Sequence, residues 1–408
     1  MYITLNDGSS WTVITGDISG GTSVSTSQTL SGTSAINFKV ADDAANELES
    51  TQLAYIYDAT APTITFSSIA LSADTGASSS DFTTKTAAQT LTATLSAAMA
   101  SDDILQISVN NGGAWSTVTN DVTGTPDVDL STSITLSGSS NILLRITDDA
   151  GNVGTASTTA YVLDTTAPTE DCGSIDISAD TGTSDSDFYT KTAAQTVTCT
   201  LDGALDSDDL LYISVDNGGS YSAVSFSSTS ISTSATLSGS STIKFKIVDD
   251  AGNELVTSTS QAYTLDTTAP TISFGSVDIS ADTGTSATDF NTKTAAQTLT
   301  ATLSAALASG DILQVSVNAG TSWTNDDHAT SDGQSLSTSI TLSGTSAIHI
   351  RIIDAAGNTG TASTTSYTLD TTAPTETCGS IAMSSDTGTA NNDWNTKTAS
   401  QTITCTLS

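Results

Sequence analysis

Positive charge is scarce in this chain. Nine Lys and Arg residues stand against 44 Asp and Glu among 408 residues, which gives a formal net charge of −35 and a pI near 4.1. Nucleic acids and anionic membrane surfaces are both bound through clustered cations. We therefore expect no nucleic-acid partner and no membrane partner, and divalent cations are the natural counterpart of so acidic a surface.

Aromatic residues and long apolar runs are also scarce. Aromatic residues make up 5% of the chain, with three Met and five Pro, and no apolar stretch reaches the roughly 18 residues that cross a bilayer. No basic segment with an apolar stretch follows Met1, so we expect no export signal within this chain. So few core residues at this length predict several small domains, and the abundance of Thr favours β-structure.

Three motifs recur at intervals of about 104 residues, which predicts tandem domains of that size. The first, Asp-(Ala/Thr)-Thr-Ala-Pro-Thr, begins at Asp58, Asp164, Asp266 and Asp370. The second is Asp-Thr-Gly followed by an Asp-aromatic pair, with its two aspartates at Asp74/Asp81, Asp180/Asp187, Asp282/Asp289 and Asp386/Asp393. The third, Asp-(Asp/Ala)-Ala-(Gly/Ala)-Asn, begins at Asp42, Asp148, Asp249 and Asp354.

These motifs divide the chain into complete repeats at 59–164, 165–266 and 267–370, with the later part of one repeat at 1–58 and the front of another at 371–408. In the repeat 267–370, short β-branched runs parted by Gly, Asp, Asn and Ser predict strands. They are Thr271–Val277, Thr294–Leu303, Ile312–Val317, Ser337–Leu342, Ile348–Ile353 and Ser363–Leu369. Within Ile348–Ile353, Ile alternates with His349 and Arg351, so one strand face is core and the other solvent. The predicted fold class is all-β: tandem Ig-like antiparallel β-sandwiches forming an extended rod.

The four cysteines form two pairs with the same spacing. Cys172 and Cys199 are 27 residues apart, as are Cys378 and Cys405. The complete repeats without cysteine hold Phe and Ala at the matching positions, which predicts adjacent inward sites on the first two strands, close enough for a disulfide. Two buried free thiols are the alternative. Disulfides favour an oxidising, extracellular setting.

Basic and aromatic side chains are equally periodic. One strand position holds Lys39, Arg145, Lys246 and Arg351, and the position shortly after the second motif holds Lys85, Lys191, Lys293 and Lys397. We interpret both sets as local charge balance beside acidic loops. Another shared position holds Trp11, Trp115, Tyr221 and Trp323. A core or edge aromatic residue is the interpretation there, and a sugar-binding platform is the alternative.

The acidic loops form the predicted site. In a seven-strand sandwich the loop of the second motif lies at the opposite end from the loop of the third, so loops of successive repeats meet at each junction beside the linker. Many carboxylates at one interface repel each other unless a cation lies among them, and oxygen ligands in irregular loops suit Ca²⁺ better than Mg²⁺ or Zn²⁺. The alternative is a set of hydrogen-bonded Asx-turns without metal. The predicted ligands are Asp58, Asp74, Asp81, Asp148, Asp149, Asn152, Asp164, Asp180, Asp187, Asp249, Asp250, Asn253, Asp266, Asp282, Asp289, Asp354, Asn358 and Asp370, with Asp208, Asp209 and Asp311 in the same clusters.

No catalytic constellation recurs in the repeats. Asp-Thr-Gly also occurs at the catalytic aspartates of pepsin-like proteases, but those enzymes need two copies face to face in an apolar cleft. His328 and His349 match no histidine in the other repeats. We therefore expect no enzymatic activity.

The Asp-Thr-Thr-Ala-Pro-Thr linkers and the Asp-Asp-Ala-Gly-Asn loops, at this spacing, resemble the bacterial Ig-like, cadherin-like repeats in the extender regions of giant RTX-type surface adhesins, such as a marine ice-binding adhesin. The resemblance spans essentially the whole chain. It implies type I export to the bacterial cell surface and Ca²⁺ at and near the domain junctions. In it, Asp58, Asp164, Asp266 and Asp370 match the linker carboxylate, and Asp148, Asp249 and Asp354 match the loop carboxylate. The chain departs from the pattern at Ala45, where the other loops have Gly, and it lacks glycine-rich nonapeptide calcium repeats.

The expected function is that of an extracellular spacer, made rigid by Ca²⁺, which projects a ligand-binding tip from a bacterial cell and so serves adhesion and biofilm formation. Its partners are then calcium ions and neighbouring repeats, and the tip lies outside this chain. A glycan- or protein-binding module is the alternative, suggested by the extra Tyr189, Tyr212 and Tyr221, and a passive spacer without metal is a third reading. Residues 371–408 and 1–58 together carry the strands of one repeat, so chains could complement each other head to tail or leave these ends disordered.

Overall fold

The computed structural model describes residues 1–15, 18–19, 23–76, 78–119, 121–124, 127–326, 334–390 and 392–408, and His328 lies outside these ranges. The described residues form strands and turns, and none of them belongs to a helix that could span a membrane. Contacts divide the chain into two units. One comprises Met1–Ile175, Cys199–Ser232 and Lys244–Ser260, and the other Asp176–Thr198, Thr233–Ile243 and Gln261–Ser408.

The strands follow the repeats. Residues 1–58 contain β1 (Tyr2–Thr4), β2 (Thr12–Val13), β3 (Ile18–Ser19), β4 (Ser23–Val24), β5 (Thr33–Ala41), β6 (Glu47–Glu49) and β7 (Leu53–Ile56). Residues 59–164 contain β8 (Phe66–Leu71), β9 (Thr83–Thr84), β10 (Ala88–Leu95), β11 (Ile104–Ser108), β12 (Ser116–Val118), β13 (Val122–Gly124), β14 (Asp127–Thr135), β15 (Ser139–Thr147) and β16 (Ser157–Leu163). Residues 165–266 contain β17 (Cys172–Ile177), β18 (Tyr189–Thr190), β19 (Ala194–Leu201), β20 (Leu210–Ser214), β21 (Ser222–Val224), β22 (Ser230–Thr236), β23 (Ser240–Val248) and β24 (Glu254–Leu265). Residues 267–408 contain β25 (Phe274–Ile279), β26 (Asn291–Thr292), β27 (Ala296–Leu303), β28 (Ile312–Ser316), β29 (Thr324–Asp326), β30 (Ser335–Thr341), β31 (Thr345–Ile353), β32 (Ser363–Leu369), β33 (Cys378–Met383) and β34 (Ile403–Leu407).

The repeat 59–164 folds as two sheets that enclose one core. Their strand orders are β13-β14-β10-β8 and β12-β11-β15-β16-β9. All strand pairs are antiparallel except β16 with β9, which is parallel. The core side chains alternate with solvent-facing ones along each strand, as in Leu91, Leu105, Leu130, Ile142 and Leu144. This is the sandwich that the period-2 pattern predicts.

The repeat 267–370 has the same plan, with sheets β25-β27-β30 and β26-β32-β31-β28-β29. Ile348, Ile350 and Ile352 are buried in its core, as the alternation predicts. The six predicted strands exist, with ends displaced by a few residues. Two short strands, β26 and β29, were not predicted, because a strand of two or three residues carries no periodicity.

Both cysteine pairs are disulfides, as predicted. Cys172 and Cys199 are buried on β17 and β19 with a Cα–Cα distance of 5.7 Å, and Cys378 and Cys405 join β33 to β34 at 5.6 Å. The described cysteines include no free thiol. The terminal segments also form strands: β1 pairs with β2 and β5, and β33 with β34.

Candidate metal site and repeat junctions

The second motif forms a loop that is held by hydrogen bonds to a buried glutamine. In the first complete repeat, Gln89 donates its side-chain amide to the carbonyls of Ala73 (2.9 Å) and Thr86 (2.7 Å), and its Oε1 accepts the Ala73 N–H (2.9 Å). The Thr84 hydroxyl donates to the same Ala73 carbonyl at 2.6 Å. The equivalent bonds are made by Gln195, Gln297 and Gln401. The sequence interpretation overlooked this glutamine, although its recurrence in every Thr-Ala-(Ala/Ser)-Gln was visible.

Each of the two carboxylates in the loop accepts a hydrogen bond from a backbone N–H. Asp74 Oδ2 accepts the N–H of Phe82 at 3.0 Å, and Asp81 Oδ1 accepts that of Thr83 at 2.9 Å. Phe82 has a φ of 64°, a left-handed conformation that costs a bulky residue about 1–2 kcal/mol. The matching aromatic residues have the same conformation: Phe188 at 61°, Phe290 at 59° and Trp394 at 63°. The same strained turn thus recurs beside each carboxylate pair, as is common at functional sites.

One oxygen of the first carboxylate has no donor. The Oδ1 atoms of Asp74, Asp180, Asp282 and Asp386 are buried and accept no hydrogen bond among the described residues. A buried polar atom without a partner is costly, and an anionic oxygen more so. These oxygens therefore fit a bound cation.

The pKa shifts follow from the same geometry. Burial raises the pKa of Asp74; the Phe82 N–H opposes this, and the charges of Asp81 and Asp250 add to the rise. Burial also raises the pKa of Asp180, again opposed by a backbone N–H and increased by the charge of Asp187. In the absence of a cation, these carboxylates are held in an environment that disfavours their charge.

The loop of the second motif also binds the loop of the third motif in the next repeat. The Thr75 hydroxyl donates to the carbonyl of Ala251 at 2.6 Å, and the Lys85 ammonium donates to the carbonyl of Gly252. The same two bonds recur one repeat later, from Thr181 to Ala356 at 2.8 Å and from Lys191 to Gly357 at 2.7 Å. We call each pair of bonds a clasp. The interpretation of these lysines as local charge balance missed these bonds, whose acceptors are main-chain carbonyls about 170 residues away in sequence.

Each clasp packs two glycines against opposing carbonyls. A Cβ on Gly76 would lie 1.9 Å from the Asp250 oxygen, and one on Gly252 would lie 2.4 Å from the Thr75 oxygen. In the second clasp the corresponding distances are 2.4 Å for Gly182 and 2.1 Å for Gly357. Real Cβ atoms do not approach oxygen so closely, so both motifs need glycine for the loops to dock.

The Asp and Asn of the third motif bind each other and the linker. Asp249 Oδ1 accepts the Asn253 N–H at 2.7 Å, and Asn253 Nδ2 donates to Asp249 Oδ2 at 2.8 Å and to the Asp164 carbonyl at 3.0 Å. Asp148 and Asn152 make the same bonds with Asp58, as do Asp354 and Asn358 with Asp266. These hydrogen bonds account for the motif without metal, so metal ligation by its residues stays a prediction.

Most of the remaining predicted ligands have local partners. Six linker and loop aspartates each accept a hydrogen bond from the backbone N–H two residues later. They are Asp58, Asp164, Asp187, Asp266, Asp289 and Asp370. Asp149 is exposed. Among the described residues no group of three or more His, Cys, Asp or Glu is placed to hold a metal ion. A bound ion would therefore need backbone, hydroxyl or water oxygens in addition to the carboxylates.

A second set of carboxylates lies beside the linker. Burial raises the pKa of Asp209; an N–H bond opposes this, and the charges of Asp206, Glu170 and Asp249 add to it. Burial likewise raises the pKa of Asp311, with the charges of Asp354 and Asp266 contributing. At the first junction Asp250 connects this set with the Asp-Thr-Gly loop, because burial raises its pKa and the charges of Asp81 and of Asp208 add to the rise.

The periodic cations on the strands lie over aromatic rings. The guanidinium of Arg145 is 3.7 Å from the ring centroid of Trp115, and that of Arg351 is 3.8 Å from that of Trp323. Lys39 lies over Trp11 at 4.5 Å and Lys246 over Tyr221 at 4.9 Å. Only these two lysines also form ion pairs in the described chain, with Glu47 and Glu254. The aromatic residues therefore contact the strand cations, and the two lysine ion pairs agree with the charge-balance interpretation.

The sequence of one repeat matches a known family profile. Residues 60–165 match the profile of the family described as "Bacterial Ig-like domain". This segment is thus similar to bacterial Ig-like domains. The other Ig-like repeats share its three motifs, and the repeat 267–370 shares its two-sheet plan. No curated protein matches the chain.

Several solved structures resemble these Ig-like repeats. A "tetra-tandem repeat in extending region of large adhesion protein" is 21% identical, with 84% of this chain and 82% of that chain covered and a TM-score of 0.25. A structure described as "host cell surface retention of a 1.5-MDa bacterial ice-binding adhesin" is 18% identical, with coverages of 76% and 98% and a TM-score of 0.28. An ICAM-5 D1–D4 ectodomain fragment is 12% identical, with both coverages at 83% and a TM-score of 0.34.

Proposed function

We propose that this chain is a spacer segment of a bacterial cell-surface adhesin, without enzymatic activity, in which Ca²⁺ bound in the Asp-Thr-Gly loops makes the junctions between Ig-like domains rigid. The adhesive tip lies elsewhere in the parent protein. The observation that carries the proposal is the buried carboxylate oxygen without a donor at Asp74, repeated at the matching aspartate of three further repeats. The adhesin setting rests on the resemblance of the linker and loop motifs.

In this proposal Asp74 and Asp81 hold the ion, together with main-chain, hydroxyl or water oxygens, because Ca²⁺ takes six to eight oxygen ligands. The bound ion supplies positive charge to a cluster that otherwise holds only acids. At the first junction Asp250 adds a carboxylate from the next repeat, since its pKa is raised by burial and by the charges of Asp81 and Asp208. At the second junction Ala355 takes that place, so the ion there has one carboxylate fewer.

The chain's own residues keep the junction assembled. The clasp holds the two loops together, while the asparagine of the third motif ties its loop to the linker carbonyl. Extracellular Ca²⁺ modules typically bind at about 10⁻⁴ to 10⁻³ M. The sites would be filled outside the cell and empty in the bacterial cytosol, which is compatible with export before folding.

Thermal unfolding with Ca²⁺, with Mg²⁺ and with chelator tests the proposal. At free Ca²⁺ one hundred times the dissociation constant, each site stabilises its domain by about 2.7 kcal/mol, or about 10–20 °C in melting temperature. Asp74→Asn with Asp180→Asn keeps the acceptor for the aromatic N–H and should remove most of the gain. Asp129→Asn, on the exposed face of β14, is the matched control. Equal melting curves with Ca²⁺ and chelator would refute metal binding.

Small-angle scattering tests the mechanical part separately. The spacer proposal expects a larger maximum dimension with Ca²⁺ than with chelator, because bridged carboxylates limit bending at the junctions. If the melting temperature depends on Ca²⁺ but the maximum dimension does not change, the ion stabilises individual domains only. That result would contradict its role in junction stiffness.

A binding role is the second candidate. A groove of about 700 Å³ in the repeat 165–266 is lined in part by Leu205, Tyr212 and Phe226, and apolar side chains beside polar ones are typical of ligand sites. Binding on a glycan array that is lost in Phe226→Ser would support this role. A blank array with the wild-type chain would count against glycans as its ligand.

A further inference from the structure

One edge of the sandwich carries an extra strand in the repeat 59–164. There β13 pairs with β14, with Val122 opposite Leu130, and Val122 packs against the core. The Ser131 N–H of β14 donates to the Asp121 carbonyl at 2.9 Å. The extra strand thus supplies main-chain partners to an edge strand that would otherwise be open to pairing with another chain.

The same edge is open in the repeat 165–266. Every residue of this repeat is described, and its three-stranded sheet has the order β17-β19-β22, so β22 has a neighbouring strand on one side alone. The connection before the edge strand covers residues 119–126 in the repeat with β13 but only 225–229 here, which leaves no length for an extra strand. Ile231 of β22 takes the place of Leu130, and both are almost fully buried.

The groove of about 700 Å³ lies beside this open edge. Its walls are the end of β21, residues 225–228 leading into β22, and the half-buried side chains of Leu205, Tyr212 and Phe226. A volume of this size is within the range of about 300–1,000 Å³ that is usual for ligand sites. An apolar groove next to an open strand edge is the combination that binds extended peptides, since the edge pairs with the main chain and the groove takes a side chain.

One end of the groove is negatively charged. Asp209 lines it, and the charges of Asp206, Glu170 and Asp249 act on Asp209. Neither of the ion pairs found in the described part of the chain includes any of these four acids. A ligand with a positive charge at this end is therefore favoured over a neutral or acidic one.

We propose that the groove of the repeat 165–266 binds an extended segment of another protein, which pairs with β22 as β13 pairs with β14 and carries aliphatic and basic side chains. A main-chain carbonyl of this segment accepts the N–H of Ser232, the residue that matches Ser131. An aliphatic side chain enters the groove beside Phe226, and a Lys or Arg lies near Asp209. The proposal rests on the binding role named above as the second candidate function, and it is independent of calcium.

A polypeptide fits this groove better than a glycan does. The Lys246 ammonium lies over the rings of both Tyr212 and Tyr221, at 5.3 and 4.9 Å from their centroids, so it takes up a face of each ring that a sugar would need. The open edge of β22 presents main-chain groups at the spacing of a strand, and another main chain is what matches that spacing.

Isothermal titration of the full chain, in about 1 mM Ca²⁺, tests the inference with the peptide acetyl-Lys-Val-Thr-Val-Thr-Val-amide. We expect a dissociation constant on the order of 10⁻⁴ M, because the contact is small. Glu in place of the Lys should weaken binding at least about threefold at low salt, and N-methylation of the peptide bonds at least about tenfold. Replacing residues 225–229 with residues 119–126 gives the repeat a closing strand of its own, and this chain should bind the peptide at least about tenfold more weakly than the wild-type chain.

Hydrogen exchange locates the contact without a variant. The bound peptide should slow exchange in residues 225–232 and leave residues 127–135 unchanged, because β13 already covers that edge. A wild-type chain that gives no binding heat and no added protection at about 1 mM peptide would overturn the inference, as would protection confined to other residues. Glycan binding that is lost in Phe226→Ser, without peptide binding, would overturn it in favour of a carbohydrate ligand. The calcium-dependent melting experiment is unaffected by these results, so the two proposals can fail separately.

Discussion

The Cys172–Cys199 disulfide should supply a large part of the stability of its repeat. It closes a loop of 27 residues between β17 and β19. In the chain-entropy treatment, a loop of that length corresponds to about 3.5 kcal/mol at 25 °C. For a domain of about 100 residues this is roughly 15–25 °C in melting temperature. Cys172→Ser with Cys199→Ser should therefore destabilise the repeat by about this amount.

The neighbouring repeats provide a matched control for this change. They hold Phe66 with Ala93 and Phe274 with Ala301 at the same positions, and both phenylalanines pack against a core. Cys172→Phe with Cys199→Ala removes the cross-link but supplies apolar contact, and burying such a side chain contributes about 1.5–3 kcal/mol. This variant should fall between the wild-type chain and the double-serine variant.

Hydrogen exchange of peptides from β19 measures this repeat alone, which a melting curve of the whole chain does not. In the double-serine variant the exchange protection of β19 should fall by a factor of about 10² to 10³, since every 1.4 kcal/mol is a factor of ten. Cys378→Ser with Cys405→Ser should leave β19 unchanged. Equal protection of β19 in the wild-type and double-serine chains would refute the loop-closure argument.

Three further predictions concern individual contacts. Gln297→Leu should destabilise its repeat by about 2–4 kcal/mol in chemical denaturation, because it leaves buried polar groups of the loop without partners, whereas a change below 0.5 kcal/mol would contradict the role of the glutamine. A double-mutant cycle of Arg145→Met and Trp115→Leu should give a coupling of about 0.5–1 kcal/mol that salt weakens only slightly, and zero coupling would make the stacking incidental. Because the pKa values of Asp74 and Asp180 are raised, these two carboxyl groups bind protons more tightly in the folded chain than in the unfolded one, so in chelator the unfolding free energy should increase as the pH falls from 7 towards about 4. The aspartates with lowered pKa values, such as Asp148 and Asp216, act in the opposite direction, mainly below that range. Saturating Ca²⁺ should abolish that increase, and a chelated chain that is most stable at pH 7 would contradict the argument.

The sequence predicts the sandwich fold well because its information is local and periodic. Alternation along Ile348–Ile353 places each side chain on the correct face. The two cysteines are present or replaced together from one repeat to the next, which indicates that Cys172 and Cys199 are neighbours. These features depend only on the strand period and on substitutions at matched positions. The two-residue strands β9, β18 and β26 could not be predicted, because they exist only through parallel pairing with the last strand of each repeat.

The candidate site was predicted less completely. The motifs identify Asp74 and Asp81, but nothing in the pattern shows that one oxygen of Asp74 has no donor. Likewise, the recurrence of Lys85 is visible in the sequence, whereas its bond to Gly252 depends on how two loops from different repeats meet. In the third motif, read as a set of ligands, the first Asp and the Asn are hydrogen-bonded to each other.

The clasp binds main-chain atoms of the following repeat and makes no bond to the side chain beside them. Its acceptors are carbonyl oxygens, and the residue before the clasped alanine is Asp250 in one repeat and Ala355 in the next, with the same bonds formed. Repeats joined by a clasp are therefore interchangeable, because any repeat that keeps the Thr, the Lys and the two glycines can follow any other. Gain, loss or reshuffling of whole repeats would then alter the length of the protein without requiring a new boundary, while the rest of each repeat remains free to diverge.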